Sequence, residues 1–117
     1  RFWRSGNFEY TKLKFGWTPP HTSIFLEKSA VIDNWYSTDF SISSDYDYIL
    51  NLIIKKKILP FYFKKNLVIM RNGGSSTKIT KLLIKLFEDI KIARKYFKYF
   101  FLITVFFKIV RKINQIL

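Results

Sequence analysis

The chain has 117 residues and 14.1 kDa, room for one domain, and its 49% hydrophobic and 25% charged content suits a buried core and excludes disorder as the default. It contains no Cys and one His, which excludes disulfides, zinc–thiolate sites, iron–sulfur clusters, a cysteine nucleophile and a multi-histidine relay. The formal charge of +13 is unevenly placed. Residues 1–54 carry five basic against six acidic side chains, −1, whereas residues 55–117 carry sixteen against two (Glu88 and Asp89), +14. Such asymmetry points to a polyanionic neighbour of the C-terminal half, set against the plainer reading of a solvated basic face.

Taken in chain order, the sequence opens at Arg1 with no charged-then-apolar signal segment and reads as a piece whose upstream part is absent. Residues 1–15 alternate aromatic, basic and small side chains without a period. Gly16, Pro19 and Pro20 mark a loop, and Thr22–Leu26 reads as a short buried strand. A short helix is predicted over Lys28–Trp35, with Asn34 suited to a left-handed closing position. Ser44 as N-cap and Asp47 at the third position predict a helix start leading into Tyr48–Ile54, a unit that Pro60 ends. Phe61–Phe63 and Leu67–Met70 are strand candidates, and Gly73-Gly74-Ser75-Ser76 is a turn. Ile79, Leu82, Leu83, Leu86, Phe87 and Ile90 recur at three and four residues and predict an amphipathic helix. Tyr99–Phe107 is uncharged and nearly all apolar, about half the roughly 18–20 residues a bilayer span needs. A basic helix lying in a membrane interface fits better, with Arg94, Lys95, Lys98, Lys108, Arg111 and Lys112 near headgroups; docking on a neighbouring domain is the alternative.

The residues with chemical potential are few. Asp45 and Asp47 stand at the predicted helix start, where the dipole favours the ionised form. An ionised carboxylate there can act as a general base; Asp-x-Asp can also hold a divalent cation, and simple capping is the plain reading. His21 follows two prolines and can hydrogen-bond a sugar or phosphate or sit satisfied in its loop. Arg71, before Asn72-Gly73-Gly74-Ser75, can pair with a phosphate, although the spacing is not that of a P-loop.

In order, Arg1-Phe2-Trp3-Arg4-Ser5-Gly6, Phe15-Gly16-Trp17-Thr18-Pro19-Pro20-His21-Thr22, Ser44-Asp45-Tyr46-Asp47 and Met70-Arg71-Asn72-Gly73-Gly74-Ser75-Ser76 resemble the C-terminal, acceptor-side half of family 2 glycosyltransferases of polysaccharide and colanic-acid-type biosynthesis. The resemblance covers roughly residues 1–90. It implies an α/β fold, a partial GT-A (Rossmann-like) sandwich over residues 1–90, followed by a basic amphipathic membrane-surface helix over residues 91–117. It implies an inverting transferase that moves a sugar from a nucleotide-sugar donor to a glycan or lipid-linked acceptor. Asp45 would be the catalytic base. Trp17, His21, Asp47 and Arg71 would contact donor or acceptor, Trp17 by offering a ring face to a sugar.

The same resemblance implies a divalent cation, Mg or Mn, held mainly by the nucleotide-binding half outside this chain, so the piece is expected to be inactive alone unless a separately encoded half complements it. Ser44 stands where the family has Glu, and Ser37 where it has Asp. The expected location is cytoplasmic, peripheral on the inner face of the plasma membrane. A non-catalytic membrane-surface protein using only the +14 half is the alternative function. A nucleic-acid partner is not expected, because the aromatics sit in apolar runs and no RNP, KH or zinc pattern occurs.

Overall fold

The structure is a computed structural model, and residues 4–69 and 79–116 are described. Five helices follow one another: α1 (Tyr10–Lys14), α2 (Lys28–Ile32), α3 (Ser44–Leu50), α4 (Ile79–Phe97) and α5 (Phe101–Ile116). A 3-10 turn spans His21–Ser23, a π-helical turn extends α3 over Asn51–Lys55, and a second 3-10 turn, Lys98–Phe100, joins α4 to α5.

All regular structure among the described residues is helical, and no strand forms there. The expected α/β sheet is therefore corrected: this chain does not build a GT-A-like sandwich. The strand candidates fail for a physical reason. Three to five apolar residues do not distinguish strand from other conformations, and a strand persists only when a neighbour takes up its amides and carbonyls. In Thr22–Leu26 the first residues close locally instead, with Ser23 N donating to Pro20 O at 3.0 Å and Ile24 N to His21 O at 3.3 Å. Phe61–Phe63 and residues 67–69 run irregularly and mostly exposed, Phe61 being 89% accessible. Met70, Arg71 and the Gly73–Ser76 turn lie outside the described residues.

The helix predictions fare better. α2 forms inside Lys28–Trp35 but stops at Ile32. Asn34 does not adopt a positive φ; its side-chain amide instead donates to Ala30 O at 2.9 Å. α3 starts at Ser44, so Ser43 is the N-cap, and no capping box closes, because Ser43 Oγ and Asp47 are both engaged elsewhere. α4 continues past Ile90 to Phe97. Its buried residues are Asp89, Ile92 and Ala93, whereas Ile79, Leu83 and Phe87 of the predicted apolar stripe are exposed.

The core gathers Leu13, Trp17, Tyr46, Ile49, Leu50, Ile53 and Ile92, bordered by Phe8, Ile24, Phe40, Ile54, Tyr96 and Phe97. Thus α1 and the residues just after it, α3 and the middle of α4 meet in one apolar cluster, consistent with burial as the main stabilising term. Trp17 also ties the segment before α1 to the one after it, donating Nε1–H to Ser5 O at 2.8 Å with its ring against Phe8.

Against this cluster lies α5, antiparallel to α4 and pinned to the end of α1. The Thr104 hydroxyl donates to Lys14 O at 2.7 Å and Arg111 Nε to Phe15 O at 3.1 Å, taking up carbonyls that α1 leaves open at its C-terminus. Phe15 makes edge contacts with Phe100 and Phe107. Between them Gly16 has φ +69°, and a Cβ there would stand 2.7 Å from both Lys108 Cα and Thr104 O. Only glycine lets the two backbones approach this closely. Gly16→Ala is expected to cost roughly 2–4 kcal/mol, from backbone strain plus overpacking. Urea denaturation monitored by circular dichroism reads this directly; an unchanged midpoint would count against the α1–α5 contact.

Candidate functional site

Asp45 and His21 come together. His21 Nδ1 lies 3.0 Å from Asp45 Oδ2, both side chains partly open to solvent at 51% and 32%. Pro20 leads into the 3-10 turn that carries His21, with Ser23 Oγ donating to Pro20 O at 3.0 Å, so the ring is presented from a locally closed loop. The other oxygen of Asp45 accepts the amide of Tyr46 at 2.8 Å, an N–H that also donates to Ser43 O at 3.0 Å. The carboxylate thus spends one oxygen on its own helix and turns the other to an accessible imidazole.

Asp47 does different work. Two residues advance a helix by about 200°, so Asp45 and Asp47 point to opposite sides of α3. Asp47 is almost sealed and pairs with Lys95 Nζ at 2.9 Å. Tyr96 Oη donates toward its Oδ1 at 3.1 Å. Burial, then the Asp47 charge and this hydrogen bond, push the Tyr96 phenol pKa up. The two aspartates therefore cannot close on one cation, and Asp47 has no face open to a ligand. Trp17 is likewise a core residue at 6% exposure, with no ring face for a sugar. Arg71 lies outside the described residues.

Beneath Asp45 is a polar cluster that the sequence reading did not single out. Glu88 accepts the amides of Ser41 at 2.8 Å, Ile42 at 2.9 Å and Ser43 at 2.7 Å, together with the Ser41 hydroxyl at 2.8 Å. Partial burial alone would raise the Glu88 pKa, but these bonds outweigh it and hold the carboxyl below its ordinary value. Next to it, Asp89 is buried and accepts Ser43 Oγ at 2.8 Å. Lys108 of α5 places its ammonium 2.9 Å from Asp89 Oδ1 and 3.1 Å from the centre of the Tyr46 ring. The Lys108 stem shows at the surface, but its nitrogen is closed off from water and has no well-directed hydrogen bond. Burial pulls its pKa down to about 8, with Lys85 adding to the drop and Asp89, then Asp45, opposing it. Tyr46 is raised by burial and by Asp89, and its hydroxyl finds no hydrogen-bond partner. The available signal was compositional: Glu88 and Asp89 are the only acids of the basic half.

The divalent cation implied by the resemblance is expected mainly in the nucleotide-binding half outside this chain. Among the described residues no group of three His, Cys, Asp or Glu side chains could hold a metal ion. Comparison with protein-family models, with curated proteins and with solved structures finds no match for this chain.

The split between the two aspartates is testable by stability. Asp47→Ala leaves Lys95 and Tyr96 without their partner and is expected to cost about 2–4 kcal/mol. Asp45→Ala is expected to cost no more than about 1 kcal/mol. Equal losses in chemical denaturation would contradict this geometry.

The pH response follows from the same cluster. The folded pKa of Glu88 lies below its unfolded one, so its contribution is present above the ordinary carboxylate range and is lost as pH falls through the depressed value. For Lys108 the unfolded chain holds a proton that the folded chain releases between about 8 and the ordinary 10.5, so its contribution to stability rises with pH across that window. The raised phenols of Tyr46, Tyr48 and Tyr96 act oppositely above their ordinary value of 10.0. Melting temperature is therefore expected to climb from pH 8 toward 10 more steeply in the natural chain than in Lys108→Met. Glu88→Gln is expected to flatten the acid limb. Parallel curves for natural chain and variants would refute both assignments.

Proposed function

We propose that this chain supplies the acceptor-side residues of an inverting glycosyltransferase, with Asp45 as general base. The observation that carries the reading is the 3.0 Å approach of His21 to Asp45. These are the residues that the motif resemblance puts in one cleft, and they come from separate segments of the chain. The expected sheet is not found among the described residues, so the reading rests on this approach and on motif order, and the donor half is expected to come from outside them.

In the reaction the acceptor hydroxyl oxygen attacks the anomeric carbon of the nucleotide-sugar from the face opposite the diphosphate. The new glycosidic C–O bond forms as the bond to the diphosphate oxygen breaks, and the hydroxyl proton passes to the carboxylate of Asp45. His21 orients that carboxylate and is a positioning residue. The Tyr46 amide holds the second oxygen, so the carboxylate loses little freedom when substrate arrives. Glu88 fixes the turn from which α3 starts and with it the position of Asp45.

The test uses the chain together with its donor-binding half and a nucleotide-sugar. Asp45→Asn is expected to lower kcat by about 10²–10⁴ with donor binding unchanged. His21→Ala is expected to lower kcat less than Asp45→Asn, and His21→Gln to recover part of it. Turnover retained in Asp45→Asn would remove Asp45 as the base.

A further inference from the structure

Helix α5 is built with its polarity reversed. Thr104, Val105 and Lys108 face the body of the protein, and Thr104 and Val105 are buried. Leu102, Phe106, Ile109 and Ile113, spaced four, three and four residues apart, face outward and are exposed. They form an apolar stripe about 16 Å long on a helix of about 24 Å. Left in water, such a stripe loses the burial energy that stabilises an ordinary surface helix.

What covers it is indicated by charge. Where α4 turns into α5, Arg94, Lys98, Tyr99 and Phe101 line a shallow hollow of about 280 Å³. Arg94 and Lys98 are exposed there, and Tyr99 is completely so. The only two acids of residues 55–117 are turned inward, Glu88 onto the Ser41–Ser43 amides and Asp89 onto Lys108. Nothing acidic from this half therefore balances the cations at the α4–α5 turn, from which the stripe starts. A second copy would bring another +13 against this one, a repulsive approach. An anionic bilayer complements both features at once, taking the apolar stripe at the acyl boundary and the two cations with the tyrosine at the headgroups.

We propose that α5 lies in the interface of an anionic phospholipid bilayer through Leu102, Phe106, Ile109 and Ile113, with a lipid phosphate seated between Arg94 and Lys98. Lys108 takes no part in lipid binding, because its ammonium closes the contact with Asp89. Lys95 is held by Asp47, Arg111 by Phe15, and Lys112 has an interaction of its own, so the headgroup contact falls to two of the six cations expected from the sequence. The helix rests on the surface; no helix among the described residues is long and apolar enough to cross a membrane.

This inference stands apart from the transferase reading, since it concerns vesicle binding of the chain alone. Co-sedimentation of the full chain with phosphatidylcholine vesicles, with and without phosphatidylglycerol, tests it. Binding is expected only with phosphatidylglycerol present. The double variant Leu102→Glu, Phe106→Glu is expected to weaken it by about 100-fold or more. Arg94→Gln with Lys98→Gln is expected to weaken it by about 30-fold. Both pairs are exposed, and circular dichroism verifies that the helices persist. Asp45→Asn is expected to bind like the natural chain whatever its turnover. The proposal is overturned by absent binding, by equal binding to pure phosphatidylcholine, by glutamates at 102 and 106 that change nothing, or by a dimer that buries the stripe and persists with vesicles.

Discussion

The carboxylates of Glu88 and Asp89 sit on consecutive residues of α4, and the rest of the molecule is arranged around them. Glu88 gathers three successive amides and a hydroxyl from residues 41–43, a concave set of donors suited to an anion. Asp89 reaches Ser43 from one side and Lys108 from the other. One dipeptide thereby joins the entry of α3, the middle of α4 and the middle of α5. A buried carboxylate is costly unless its lone pairs are used, and here the partners come from two other segments of the chain. That requirement is what makes the docking specific: apolar contact alone would let α3 slide along α4.

The same requirement explains the reversed polarity of α5. Asp89 draws Lys85 of its own helix to 3.7 Å and Lys108 of α5 more closely, to 2.9 Å, with the Lys108 ammonium against the Tyr46 ring. Thr104 turns inward because Lys14 leaves a carbonyl unsatisfied at the end of α1. Gly16 then lets the two backbones close. With Thr104 and Lys108 committed to the body, Leu102, Phe106, Ile109 and Ile113 are left on the outer face of α5. The interior chemistry and the exposed stripe are two consequences of one arrangement.

The two aspartates of α3 show how little separates a structural carboxylate from a candidate catalytic one. Both stand in the first turn, where the helix dipole favours ionisation. The helix rotation sends Asp47 toward α4, where Lys95 and Tyr96 enclose it, and Asp45 toward the His21 turn, where solvent reaches it. The accessible one is the one with an oxygen left for work outside its own helix.

Local rules decided a good deal. The short α2, the long amphipathic segment of α4 and the helical tail follow from periodicity and the breaks at Gly16 and Pro60, and α3 begins within one residue of its expected cap without the expected capping box. Motif order also singled out Asp45 and His21, whose side chains approach to 3.0 Å. What the chain's own pattern did not decide was which partner each surface meets. The stripe from Ile79 to Phe87 looked like the core face of α4, yet Ile92 and Ala93 are buried, since α3 and the α1 segment converge farther along the helix. Trp17 and Asp47 looked available to a ligand and became core and ion pair, because exposure depends on neighbours remote in sequence. The short apolar runs around Ile24 and Phe61 looked like strands, and a strand exists only when another lies beside it. Periodicity describes what one segment can do; burial, pairing and the approach of a histidine to an aspartate depend on the distances between segments, which tertiary packing alone sets.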